Sequence, residues 1–397
     1  MALGIQRAGF RHVALVERNH TACETLRTNG VSHGVTHSLP VCELDAAEVH
    51  YDRWAGQVHL LAGGPPCQSF SIAGKHAGET DSRNGFPHLF RAAQALRPQA
   101  ILIENVQGLA RSAFQPYLDY IALQLRYPSV TARPNEVWPS HKQRLERLTR
   151  ERAHLDLEYR IYGPHILNLV DYGVPQQRRR LFIVALRSDL QVEWEWPTPT
   201  HSQDALLYEQ WGTGVYWERH QLTPPKPPLA LTNRVGRLRA CPAPTEAPWR
   251  TVRDALIGLP TPVDGQVCPS IANHIGISGA RAYYGHSGSA YDAPAKTLKA
   301  GDHGVPGGEN MLLSDDGAVR YFTVRESARL QTFPDDYIFC GSRTEAMRQI
   351  GNALPVRVAE LLAGRLLALL TATQSKRIKS QPSARQLAHP LLDIVGL

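Results

Sequence analysis

The chain has 397 residues and carries 43 Lys and Arg against 36 Asp and Glu, a formal net charge of +7. That length suits two or three domains, or one large α/β domain with an insert, and the basic balance fits a polyanionic partner without demanding one. The six cysteines form no C-x-x-C pair, which points away from a zinc site or a small disulfide framework and toward a reducing compartment. No apolar run reaches the length of a membrane span and no signal-peptide core opens the chain, so a soluble cytoplasmic protein is expected, with no metal and no membrane partner.

In chain order, "HVALVE" (His12 to Glu17), "VHLLAGG" (Val58 to Gly64), "AILIEN" (Ala100 to Asn105) and "RLFIVALR" (Arg180 to Arg187) are short apolar runs close to turn signals. They read as buried strands. Between them, "PHLFRAAQAL" and "FQPYLDYIALQLR" carry helical spacing. Strands alternating with helices predict a doubly wound α/β domain over 1–189, its mostly parallel sheet covered on both faces. The stretch "HKQRLERLTRERAHLDLEYR" mixes both signs at helical spacing and reads as a solvated helix face rather than a DNA contact.

From about Leu190 to Ser289 the texture changes to proline, tryptophan and isolated polar runs, as in "LTPPKPPLALTNR". This predicts a smaller, irregular domain over 190–289. Trp211, Trp217 and Trp249 are candidates for a recognition surface there, although aromatic residues are more often core. Helical order returns over 290–370 in "TVRESARLQTF" and "QIGNALPVRVAELLAGRLLALL", and the tail 371–397 is expected to be loose.

In open α/β sheets ligands bind beyond the carboxyl ends of the strands. Three of the runs end in chemically useful groups. The first closes on Glu17, placed as a carboxylate acceptor for a ribose hydroxyl or, more simply, as a capping acid. The second passes through Gly63-Gly64-Pro65-Pro66 to Cys67. A lone cysteine is most often a small buried hydrophobe, but two prolines stiffen this corner, two glycines let another molecule approach, and Gln68, Ser69 and Ser71 supply polar contacts. Such a corner holds a thiol toward a ligand. The third closes on Glu104, whose charge at the end of an apolar strand calls for an ion pair or for partial protonation. Arg178, Arg179 and Arg180 precede the fourth run. Strand alternation would send Arg178 and Arg180 to one face, where guanidinium groups suit carbonyl or phosphate oxygens, and a plain salt bridge is as good a reading of any one of them.

With these residues in view, the chain resembles the DNA cytosine-5 methyltransferases. The resemblance rests on Gly63-Gly64-Pro65-Pro66-Cys67-Gln68, Glu104-Asn105-Val106, Gln176-x-Arg178-x-Arg180, "RESARLQTFPDDYIF" and "QIGNALPVRVAELL", all in the family's order. It implies a Rossmann-like, class I S-adenosylmethionine-dependent methyltransferase fold, with 190–289 where the family keeps its target-recognition domain. It also implies that Cys67 attacks carbon 6 of a cytosine flipped out of double-stranded DNA, generating an enamine that takes the methyl group at carbon 5. By the same likeness Glu104 meets N3 and the exocyclic amine, while Arg180, helped by Arg178, meets the carbonyl at C2. For S-adenosylmethionine the likeness points to Glu17 at the ribose, Asp45 at the adenine amine, Phe86 against the adenine ring, Pro66 beside the sulfonium, and Asn352. The segment "SIAGKHAGETDSRN" would close over the DNA, with Gln68, Ser71 and Lys75 as DNA contacts. A monomer working beside a restriction endonuclease is the implied setting.

One departure shapes the expectation of activity. The family opens with a strand and an Asp-x-Phe-x-Gly-x-Gly-Gly loop, whereas this chain opens at "MALGIQRAGF", which resembles the helix after that loop. The final "LLDIVGL" is similar to such an opening strand but lacks the glycines that should follow, which makes a circular permutation a poor explanation. Weak or absent cofactor binding is therefore expected. An inactive DNA-binding remnant and an RNA cytosine-5 methyltransferase are the competing readings, and the long insert favours DNA.

Overall fold

The computed structural model describes residues 1–30, 39–66, 84–151, 157–285, 287–301, 308–380 and 392–396. They fall into two compact units. Met1–Leu167, Arg179–Trp196 and Ala359–Leu397 form the first, and Asn168–Arg178 with Pro197–Val358 form the second. No helix among the described residues is long and apolar enough to cross a membrane.

The first unit is built on a seven-stranded sheet. Its strands are β1 (Phe10–Glu17), β2 (Val41–Glu43), β3 (Leu60–Gly63), β4 (Ala100–Val106), β5 (Tyr159–Asn168), β6 (Arg179–Arg187) and a C-terminal strand, Leu392–Gly396. They lie in the order β2, β1, C-terminal strand, β3, β4, β6, β5. From β2 through β4 the neighbours are parallel, whereas β4 and β6 are antiparallel. The four predicted strands are all present. Leu60, Leu61 and Ala100 to Ile103 are 0% exposed, as continuous apolar runs must be in a sheet covered on both faces. Helices α1 (Ala2–Arg7), α2 (His20–Asn29), α3 (Phe86–Leu96), α4 (Gln115–Arg126) and α5 (Trp138–Glu151) belong to this unit.

The end of the chain corrects two expectations. The described residues of the tail form regular structure: a helix runs from Val356 to Ser380, and Leu392–Gly396 enters the sheet between β1 and β3. Ile394 pairs with His12 on one side and Leu60 on the other, and Ile394 and Val395 are 0% exposed. Asp393 is tied to both neighbours, receiving Arg11 at 2.7 Å and donating its backbone N–H to His59 Nδ1 at 3.1 Å. The sheet therefore has the permuted strand order that the missing glycines spoke against. Strand insertion is decided by apolar side chains and by unpaired backbone on β1 and β3, not by glycines beyond the strand.

The basic stretch after Trp138 forms the solvated helix expected of it as far as Glu151. α5 buries His141 and Leu145, while Arg144 pairs with Glu136 at 2.7 Å and Lys142 lies 3.6 Å from Asp119.

In the second unit, the last sequence blocks form a buried polar scaffold. Thr323 and Glu326 make a capping box on helix Val324–Leu330. The Arg325 guanidinium donates to the carbonyls of Ala272, Pro334 and Tyr337. Gln331 donates to the carbonyls of Ile350 and Ala353, and Gln176 accepts from the Leu298 N–H. Helix Arg343–Asn352 stops before Leu354-Pro355, and a new helix starts at Val356, because the residue before a proline resists helical geometry. Trp217 is 3% exposed in a cluster with Leu206 and Tyr216, and Trp211 and Trp249 pack against it. Trp217 is core, and Trp211 and Trp249 are half-buried against it.

Candidate active site

β3 delivers the chain to the Gly-Pro corner, and two hydrogen bonds fix it there. Asn105, at the end of β4, donates from Nδ2 to the Pro65 carbonyl at 3.0 Å. The Gly85 N–H, just before α3, donates to the Pro66 carbonyl at 3.1 Å. Glycine is needed at position 85, and Gly64 passes close to Glu104. A Cβ on Gly85 would lie 2.6 Å from Pro66 Cδ, and one on Gly64 would lie 3.1 Å from Glu104 Oε2. Cys67 follows Pro66 directly in sequence but lies outside the described residues, as do Gln68, Ser71, Lys75 and the rest of the expected closing segment up to Arg83.

Glu104 stands beside this corner and is ion-paired. Arg180 Nε lies 2.9 Å from Glu104 Oε1, with the two side chains only 14% and 11% exposed. The contact follows from the antiparallel register, which sets Glu104 opposite Phe182 and Val106 opposite Arg180. Burial lowers the Arg180 pKa while the Glu104 charge and hydrogen bond oppose the change. Arg180 also donates to the Arg179 carbonyl at 2.9 Å, so its guanidinium is anchored on two sides.

A cavity of about 240 Å³ opens along the carboxyl ends of β1, β2 and β3, lined by Glu17, Leu44, Asp45, Pro65, Pro66 and Leu89 among others. Glu17 Oε1 accepts from the Asn19 N–H at 2.8 Å, and no partner for Oε2 is found among the described residues. Asp45 accepts from the Ala47 N–H at 2.9 Å and from Arg18 at 3.2 Å. Its pKa is lowered first by that backbone bond and then by Arg18. A fixed carboxylate with a spare acceptor oxygen, an ionised aspartate and apolar walls suit a nucleoside-bearing cofactor.

Two expected residues go elsewhere. Phe86 is 0% exposed and packs edge-on to Tyr117, with ring centroids 6.0 Å apart. Leu89 and His88 line the cavity from α3 in its place, since the helix turns Phe86 into the aromatic cluster below. Arg178 precedes β6 instead of continuing its alternation. It is 0% exposed in the second unit, and its guanidinium donates to the carbonyls of Leu298, Gly351 and Ala353 at 3.3, 2.7 and 3.0 Å. It is a scaffold residue. Asn352 ends its helix and is exposed, while neighbouring Gly351 has no room for a side chain because a Cβ would lie 2.3 Å from the Ala300 nitrogen.

Sequence reasoning gave no role to Asn105, Gly85, Leu44 or Leu89. Asn105 stands in a block already quoted, but nothing local shows that its amide reaches Pro65. A larger cavity of about 500 Å³ lies among α3, α4 and α5. Its charged lining is already committed, Arg91 to the Ala46 carbonyl and Glu136 to Arg144, and the paired carboxylate and guanidinium of the Pro65 corner are not part of it.

Residues 1–127 and 139–368 match the family model described as C-5 cytosine-specific DNA methylase. The chain is 30% identical over 373 residues to the Type II methyltransferase M.Eco47II of Escherichia coli, covering 90% of this chain and 74% of that protein. It is 29% identical to the Type II methyltransferase M.NgoMIV of Neisseria gonorrhoeae, covering 93% and 94% respectively. Among solved structures, the S. pombe Dnmt2 methyltransferase superposes with a TM-score of 0.53 at 19% identity, over 93% of this chain and 95% of that one, a likeness of fold.

Proposed function

Because the chain belongs to the C-5 cytosine-specific DNA methylase family, whose members methylate carbon 5 of cytosine in DNA, we propose that its reaction runs at the Pro65-Pro66 corner with Cys67 as nucleophile. The carrying observation is the Glu104–Arg180 ion pair beside a corner clamped by Asn105. It sets a carboxylate and a guanidinium next to the position from which a thiol follows in sequence.

In this reading the target cytosine leaves the duplex, at a cost of a few kcal/mol. Cys67 sulfur bonds to carbon 6 and the displaced electron pair makes carbon 5 nucleophilic. Glu104 holds N3 and the exocyclic amine, and Arg180 holds the C2 carbonyl, where negative charge builds up. Once carbon 5 carries the methyl group, its proton passes to solvent water, the freed electron pair re-forms the bond between carbons 5 and 6, and the Cys67 sulfur leaves as thiolate. S-adenosylmethionine supplies the methyl group. Glu17 would accept from its ribose, Asp45 from the adenine amine, and Pro66 would face the sulfonium, with Asn352 assigned to the same cofactor by family likeness. Gln68, Ser71 and Lys75 are proposed DNA contacts. The 190–289 segment is proposed to recognise the target sequence, and the protein to act as a cytoplasmic monomer modifying DNA for a companion restriction endonuclease.

Transfer of tritiated methyl from S-adenosylmethionine to duplex DNA and to tRNA tests this reading. DNA should be labelled, and Cys67→Ala should abolish labelling. Label on tRNA alone would replace DNA with RNA as substrate.

A further inference from the structure

Among the described residues, two neighbouring tyrosines of the second unit stand exposed at one loop tip. Tyr283 is 63% exposed and Tyr284 is 108% exposed. Arg281 and Ala282 beside them are exposed as well, and no partner is found for Arg281 or Tyr284 among the described residues. Two adjacent rings in water lose the burial that ordinarily accounts for tyrosine in a fold.

The base of this loop is rigid. On the entering side, Asn273 exchanges two hydrogen bonds with the backbone of Phe339, at 3.0 and 2.8 Å. His274 is 2% exposed and bonds Thr323 Oγ1 and the Pro260 carbonyl. Gly276 lies so close to Val263 that a Cβ would be 2.4 Å from its carbonyl carbon. On the leaving side, Gly288 has φ +73° with a Cβ position 3.0 Å from the Met311 carbonyl, and Ser289 pairs in the strand ladder with Leu312. Between these anchors, Gly279 and Gly285 take φ of +84° and +77° with open space around them, conformations that only glycine adopts freely. The tip is thus held out by the unit with Arg281, Tyr283 and Tyr284 exposed.

We propose that this tip, residues 277–285, reads the DNA sequence around the target cytosine, with Arg281 contacting base edges and Tyr283 and Tyr284 packing on bases. The inference rests on the methyltransferase reading above and names the reading element within it. A guanidinium matches the O6 and N7 acceptors of guanine in the major groove, and tyrosine rings stack on bases while their hydroxyls bond to polar edges. Trp217 of the same unit is buried in its core, and Trp211 and Trp249 are half-buried against it, less exposed than the two tyrosines.

The test is bisulfite sequencing of a randomised duplex library methylated by the full chain and by Arg281→Ala, Tyr284→Ala and Val137→Ser, the last a control at an exposed site outside the 190–289 segment. Arg281→Ala should relax discrimination at one position of the site about tenfold to a hundredfold. Tyr284→Ala should raise KM for DNA at unchanged S-adenosylmethionine affinity, and Val137→Ser should alter neither. An unchanged sequence profile in both loop variants overturns the proposal, as does binding weakened equally on every sequence, which would make Arg281 a phosphate clamp. If the wild-type chain methylates no DNA, the underlying reading fails and not the loop assignment alone.

Discussion

Arg180 Nε sits 2.9 Å from Glu104 Oε1, and each side chain is nearly withdrawn from water. Such a pair tolerates loss of one member poorly, because the survivor is a buried charge without its counter-ion. Glu104→Gln and Arg180→Met should each lower the thermal midpoint, by about 3 kcal/mol in unfolding free energy. Each should cut methyl transfer about a hundredfold or more. If the double variant is as unstable as the two losses added together, the residues are not coupled.

Arg178 should behave in the opposite way. Its guanidinium satisfies three backbone carbonyls in the second unit, and an unsatisfied buried acceptor costs about 1 to 3 kcal/mol. Arg178→Met should therefore destabilise strongly in denaturant melts while the rate per folded molecule, at saturating DNA and cofactor, stays near that of the wild type. A rate collapse in a normally stable variant would return Arg178 to the catalytic set.

Glu17 offers one unpartnered carboxylate oxygen to its cavity. Calorimetric titration with S-adenosylmethionine should show saturable binding, weakened about tenfold by Glu17→Ala as expected for a charge-assisted hydrogen bond. Wild-type binding too weak to saturate would instead uphold the sequence-based expectation of a chain that holds its cofactor poorly.

The C-terminal strand fills the place between β1 and β3. Deleting the residues after Ser380 should abolish cooperative unfolding of the first unit, and Val395→Asp in the full chain should lower stability because it charges a fully buried position. A truncated chain that melts like the intact one would refute this role for the strand.

His12 is buried in β1, and burial lowers its pKa to about 4 from 6.5. The folded protein keeps it neutral while the unfolded chain takes up a proton, so stability falls as pH drops from about 6.5 to 4. His12→Gln should flatten the dependence of thermal midpoint on pH across that window, with a difference of up to about 3 kcal/mol. An unchanged slope would assign the acid sensitivity to other groups.

By itself the sequence determined the four buried strands, the stiff corner before Cys67 and the carboxylates that close β1 and β4. These are local properties: an apolar run, two prolines and the last residue of a strand are visible within a few positions. Tertiary structure alone decided which partners those groups meet. Asp393 joins Arg11 across 382 positions and Asn105 reaches Pro65 across 40, contacts that exist only once the sheet order is set. Phe86 and Arg178 show the same limit. Family likeness suggested a ligand for each, but the helix face and the end of the strand run direct both into packing. The side chain's surroundings, not its chemistry, decide between scaffold and site.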